Sequence, residues 1–204
     1  LKKLPSFKKL DNFHEYLVFF GSASIGSLAF CFSDSFWFNA VEAEVYAMAT
    51  LILSVLFWLG LKWESEMNTP YGDKWLLLIS FIIGLSFGVH FMGLLTIPAL
   101  GMLYYFKNVK KITIKNFIAA NIISVAILLF IFKLLLPSTL AFFGRAEVYF
   151  VNSLNLPFNS GTIFCGLVLI IFFIYAINLT KKYNLINLNT GILCILFVLI
   201  GFSS

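Results

Sequence analysis

The chain has 204 residues, 61% of them hydrophobic and only 11% charged, with a net charge of +5 and a mean hydropathy of +0.97. Soluble domains run at roughly 45–50% apolar and about 25% charged residues, so a soluble fold is excluded and an integral membrane protein is indicated. The lysines stand between apolar runs rather than on one patch, which argues against nucleic acid as a partner.

In chain order, Lys2, Lys3, Lys8 and Lys9 come first, with no short apolar core and small-residue cleavage site of a signal peptide behind them. A membrane helix needs about 20 mostly apolar residues. On that measure spans are predicted near 15–33, 41–61, 75–89, 91–106, 116–136, 161–179 and 190–204. The fold class is therefore all-α, a polytopic transmembrane helical bundle of about seven spans. The third and fourth are short and separated only by GVHFMG, which reads as a tight hairpin turning inside the membrane. Non-helical backbone at that depth must be buried in protein or line a wet cavity. The chain starts at Leu1 and closes on GILCILFVLIGFSS, and it reads as a fragment of a longer protein.

With the N-terminus cytoplasmic and alternating spans, Lys2, Lys3, Lys8, Lys9, Lys62, Lys74, Lys107, Lys110, Lys111, Lys115, Lys181 and Lys182 share the cytoplasmic side. These are twelve of the 14 Lys and Arg residues, as the positive-inside rule requires. Lys133 falls near an outer helix end, where it can snorkel. The outer side then holds Asp34, Glu42, Glu44, His90, Arg145 and Glu147, the aromatics Trp37, Tyr46 and Tyr149, and a long loop over 136–161. That loop carries two prolines and a short amphipathic piece suited to the interface. The sequon NLT at 178–180 falls on the cytoplasmic side and carries no meaning there.

Cys31, Cys165 and Cys194 lie far apart in apolar runs and read as buried spectator thiols. No spacing of Cys, His or carboxylates resembles a metal site, so neither metal nor disulfide framework is expected.

The stretch FSDSFWFNAVEAEVYAMA, residues 32–49, holds three of the nine acidic residues. Asn39 followed three residues later by Glu42 has the form of a capping box, and a carboxylate in a first helical turn is favoured by the dipole. Glu42 is thus open to a capping or a functional use. Glu44 points about 200° around the helix from Glu42, on the face of Met48 and Leu51. An ionisable group entering an apolar face at a bilayer edge is read as functional. Tyr46 is one turn from Glu42, within hydrogen-bonding reach. Asp34, between two serines before aromatics, has the chemistry of an interfacial turn.

His90 sits beside Gly88 and Gly93. A satisfied core histidine and a wet, substrate-facing one are both open. Arg145, the single arginine, stands beside Glu147. Its two uses are a local ion pair, worth little at a surface, and an anion clamp for phosphate.

Three segments carry a resemblance: FSDSFWFNAVEAEVYAMATLILSVLFWLGLKWE, WLLLISFIIGLSFGVHFMGLLTIPALGMLYYFK and FVNSLNLPFNSGT. From about residue 15 to 204 the chain resembles a bacterial membrane family first catalogued as a domain of unknown function. That family was later grouped with protein O-mannosyltransferases of the type C glycosyltransferase (GT-C) fold. The resemblance implies that 1–204 is part of one transmembrane glycosyltransferase-like domain. It implies transfer of a sugar, mannose first, from a polyprenyl-phosphate donor to a hydroxyl, often a protein Ser or Thr, on the non-cytoplasmic face. The implied site residues are Glu44 and Glu42 as catalytic carboxylates, with His90, Arg145, Tyr46 and Asp34 around the substrates. The resemblance also implies a main catalytic acid in a first outer loop that precedes this sequence, which leaves Glu44 open to the role of base or of helper. No cofactor is implied beyond the lipid-linked donor; the partners are the bilayer, that donor and a protein or glycan acceptor. The expected location is a bacterial inner membrane, with the endoplasmic reticulum as the alternative.

Two other classes compete. A transporter places ionisable residues near the midplane in broken helices, whereas here they cluster at the outer edge. A non-enzymatic subunit for assembly or export would tolerate loss of the outer carboxylates.

Overall fold

The computed structural model describes residues 12–42, 45–109 and 111–204, and these form helices and turns with no strand among them. Lys2, Lys3, Lys8, Lys9, Glu44 and Lys110 lie outside the described residues. The chain divides into two compact units, residues 1–47 and 48–204.

The first unit is a bent pair of helices, α1 (Phe13–Cys31) and α2 (Asp34–Val41). They meet at 58° and together have the length and apolarity of one broken span. The bend follows from local chemistry. Ser33 adopts an extended backbone and heads α2, while its hydroxyl donates to the Phe30 carbonyl at 2.8 Å, closing the end of α1. Asp34 in the first turn of α2 favours a new helix start through the dipole. No residue of α1 is buried.

The second unit contains most of α3 (Tyr46–Glu66), then α4 (Asp73–Ser86), a 3-10 turn (Phe91–Leu95), α5 (Thr96–Asn108), α6 (Ile114–Leu129), a π segment (Phe130–Leu135), α7 (Leu136–Asn152), α8 (Ser160–Lys182) and α9 (Ile186–Ser203). One stripe of α3, Ile52, Leu56, Leu59 and Trp63, packs on Ile79 and Ile83 of α4, Ile97 and Leu100 of α5, and Ile131 and Leu136 of the long helix. The 3- and 4-residue spacing is that of a single helix face. Many of the other large apolar side chains are exposed, as on α6 and α8, which suits a lipid solvent. In lipid, burial of apolar area gives little drive between helices, and small residues let backbones approach. Gly84 of α4 packs on the Val198 carbonyl of α9, and Gly201 of α9 packs on the Phe81 carbonyl. Gly101 of α5 sits against Ser124 of α6.

Polar contacts gather one set of helix ends. The Trp75 indole N–H donates to Glu66 at 2.7 Å, and Lys74 stands 3.4 Å from the same carboxylate oxygen. Lys107 is 3.1 Å from Glu64, and the Thr190 hydroxyl donates to Asp73 at 2.8 Å. The end of α3, the start of α4, the end of α5 and the start of α9 therefore share one end of the unit. The short 109–113 and 183–185 connections bring the start of α6 and the end of α8 there too. Lys62, Lys74, Lys107, Lys111, Lys115, Lys181 and Lys182 all belong to that end.

Two expectations change. The span placed at 116–136 does not stop there: residues 114–152 form one 39-residue helix, about 58 Å long at 1.5 Å per residue, against a hydrocarbon core of about 30 Å. Pro137 has no N–H for the Lys133 carbonyl, yet the chain continues. It widens into the π segment, where the Leu136 N–H reaches back five residues to Ile131. Residues 136–152 are thus helix, not loop, and Lys133 lies mid-helix. Second, the apolar stretches at 75–89 and 91–106 become α4 and α5, of 14 and 13 residues. At ~21 and ~20 Å they are too short to cross singly. Among the described residues four helices are long and apolar enough to cross, or five spans if α1 and α2 count as one.

An added Cβ at Gly84 has only backbone to push against, so Gly84→Val should lower stability by about 1–3 kcal/mol as overpacking does. Gly166 has open space around it, and Gly166→Ala should be neutral or stabilising by up to about 1 kcal/mol. Thermal unfolding of the detergent-solubilised protein checks both.

Candidate functional site

The acidic stretch does not fold as its capping pattern predicts. Asn39 lies inside α2, its amide donating to the Ser35 carbonyl at 2.8 Å, so it heads no helix. Glu42 closes α2 instead of entering α3: its backbone is extended, with φ −74 and ψ 146, and its N–H donates to Phe38. Ser33 and Asp34 supply an earlier helix start in the same stretch and take precedence over the Asn39–Glu42 pair. Asp34 and Glu42 therefore stand at opposite ends of α2, eight residues or roughly 12 Å apart. That separation is too large for both to act on one hydroxyl. Tyr46 opens α3, and because Glu42 is not in that helix, no helical i, i+4 relation joins them. Glu44 lies outside the described residues. Around Asp34, Trp37 stacks on Phe32 at 6.1 Å, giving α2 an aromatic surface suited to a membrane interface.

His90 stands at the tip of the α4–α5 hairpin. Its backbone is extended and heads the 3-10 turn. Its N–H donates to the Ser86 carbonyl at 2.7 Å, and its Nδ1 accepts from the Met92 N–H at 3.2 Å. With Nδ1 an acceptor, the neutral ring carries its proton on Nε2. The ring stacks on Phe91 at 4.5 Å, and Phe91 meets Phe132 of the π segment at 6.1 Å. Below it, Gly93 sits against the Ser86 side chain and within reach of Leu56. A larger residue at 93 would push the two limbs apart, which is why the tip is held by glycine there. His90 is half-buried and fixed on both its backbone and its ring.

Arg145 and Glu147 do not pair. Both lie in α7, and residues two apart in a helix point about 200° from each other. Glu147 turns to the start of α8, accepting from the Asn159 N–H at 2.5 Å and from the Thr162 N–H and hydroxyl at 2.8 and 3.0 Å. The carboxylate caps the helix that Asn159 heads in a left-handed conformation, φ 71. Arg145 is exposed and makes no ion pair or side-chain hydrogen bond among the described residues. It lines an open groove of about 340 Å³ with Gly144, Val148, Tyr149, Asn152 and Ser153. His90 is not part of that groove, so the structure does not bring the two together there.

Sequence reasoning missed the role of Glu147, although the segment Asn159-Ser160-Gly161-Thr162 holds a helix-start signal that a nearby carboxylate could serve. All three cysteines are free, and Cys31 is exposed rather than buried. Among the described residues no group of three or more His, Cys, Asp or Glu is placed to hold a metal ion.

A family model described as the protein O-mannosyl-transferase TMEM260 N-terminal domain matches residues 1–113. This is just over half the chain, and it includes Asp34, Glu42, Glu44, Tyr46 and His90 but not Arg145. No curated protein and no solved structure gives a significant match.

The two neighbours on α7 should separate experimentally. Glu147→Ala, which leaves the start of α8 uncapped, should lower the melting temperature of the solubilised protein, whereas Arg145→Ala should leave it unchanged.

Proposed function

The chain belongs to the family described as the protein O-mannosyl-transferase TMEM260 N-terminal domain, and on that premise we propose that it forms part of a membrane glycosyltransferase using a lipid-linked sugar. The observation that carries this reading is the extent of the match, which takes in both the acidic stretch and the His90 hairpin. The bundle of long apolar helices supports work at a membrane, where such a donor resides.

In this reading the donor is a polyprenyl-phosphate sugar, mannose first, and the acceptor is a hydroxyl, a protein Ser or Thr. The bond from the sugar's anomeric carbon to the phosphate oxygen breaks, and a bond to the acceptor oxygen forms. The acceptor's proton passes to a carboxylate, for which Glu44 is the choice and Glu42 the second. The leaving phosphate needs a cation, a role we give to Arg145, whose guanidinium has no competing carboxylate among the described residues. His90, Tyr46 and Asp34 would contact substrate. The lysines gathered at one end of the second unit support a non-cytoplasmic face at the opposite end, with the N-terminal segment cytoplasmic. The finer assignments are a GT-C-like bundle with seven apolar stretches and a bacterial inner membrane, and they rest on the sequence resemblance.

The test is transfer of labelled mannose from polyprenyl-phosphate mannose by the protein in its membrane. Wild type should transfer, and Glu44→Gln should fall by ~100-fold or more. Equal rates would remove Glu44 from the chemistry. No transfer by folded wild type from any of several polyprenyl-phosphate sugars would overturn the transferase reading.

A further inference from the structure

The α4–α5 hairpin enters and leaves at the lysine end, since Lys74 stands on Glu66 and Lys107 on Glu64. Its limbs, ~21 and ~20 Å long, stop about 10 Å short of the far boundary of a hydrocarbon core of about 30 Å. An independent marker agrees: a Cβ built on Gly93 would lie 3.5 Å from Leu56, ten residues or ~15 Å along α3 from Glu66. The tip is thus at half the height of α3.

The backbone at that height is not fully satisfied. The N–H groups of residues 87–90 find Gly84, Leu85 and Ser86 carbonyls, and the Thr96 hydroxyl donates to Gly93 at 2.6 Å. The carbonyls of Phe87, Gly88 and Val89, however, accept no hydrogen bond among the described residues. Gly88 is exposed and His90 half-buried. Non-helical backbone at membrane depth persists only when buried in protein or facing water; Phe87 and Val89 pack partly on the core, while Gly88 between them is exposed.

We infer that the tip around Gly88 and His90 is the floor of a water-filled vestibule. It lies one-half to two-thirds of the way through the bilayer from the lysine side, open on the face opposite the lysines, and admits small hydrophilic solutes. Water there hydrates the Phe87–Val89 carbonyls, and His90 is the titratable group it reaches. The inference stands on the hairpin alone and is independent of the transferase reading.

A sulfonated, membrane-impermeant maleimide is the probe, on protein whose three cysteines are replaced by alanine. At Gly88 a new Cβ meets only the Leu85 carbonyl at 3.5 Å, so Gly88→Cys fits without strain, and His90→Cys is a second reporter. Phe57→Cys is the lipid control, at the same height on α3 and 70% exposed. In sealed vesicles of each orientation, the two tip variants should label from the face opposite the lysines. They should do so at least about tenfold faster than Phe57→Cys, because a thiol in hydrocarbon does not ionise. Absence of labelling at both tip positions, when the same proteins label in detergent, would overturn the vestibule. So would labelling from the lysine face, or equal labelling of Phe57→Cys.

Discussion

Every backbone N–H and C=O inside a bilayer must find a partner within the protein or in trapped water, and the second unit is organised around that requirement. Long helices meet it internally. Two departures from α-helix show how it is met otherwise. At Pro137 a missing donor is absorbed by widening the preceding turn. At the hairpin tip, Ser86, His90 and Thr96 supply bonds that the turn cannot make for itself. These two irregularities touch, through Phe91 and Phe132.

Charge placement follows the same economy. Where carboxylates approach apolar helices they are engaged: Glu66 by Trp75 and Lys74, Glu64 by Lys107, Asp73 by Thr190, Glu147 by the start of α8. Four of the acidic groups thus tie helix ends together. Such pairs near a surface contribute modestly to stability, but they fix which ends lie side by side, and so the sense in which α4, α5 and α9 run.

Much of the fold was legible because apolar run length and lysine spacing are strong signals in a membrane sequence. The hairpin at GVHFMG was legible because two short runs stand on either side of that one turn, although in the sequence each run still counts as a span. The acidic stretch was not. Asn39–Glu42 satisfies a capping pattern, but Ser33, a favoured N-cap residue followed by Asp34, offers another helix start a few residues earlier, and sequence alone does not rank the two. Pro137 misled in the opposite way: it reads as part of a loop over 136–161, whereas a single π turn let the helix pass. Arg145 and Glu147 looked like neighbours because they are close in sequence; once that segment is helical they face apart. Of the candidate site residues, His90 was placed correctly at the tip, while Glu44, the residue on which the proposed chemistry leans, lies outside the described residues.

The unbroken run of helix from 114 to 152 has a mechanical consequence. A loop at 136 would have isolated the outer segment from the rest. A continuous helix is stiff in bending and torsion, and the one turn with slack is the π segment. The i to i+5 turn at residues 130–135 is therefore the place along this helix where a change of twist is most easily taken up. Phe132 sits in that turn and leans on Phe91, whose ring stacks on His90. The groove at Arg145 and the hairpin tip share no lining residue; a continuous helix and two ring contacts lie between them.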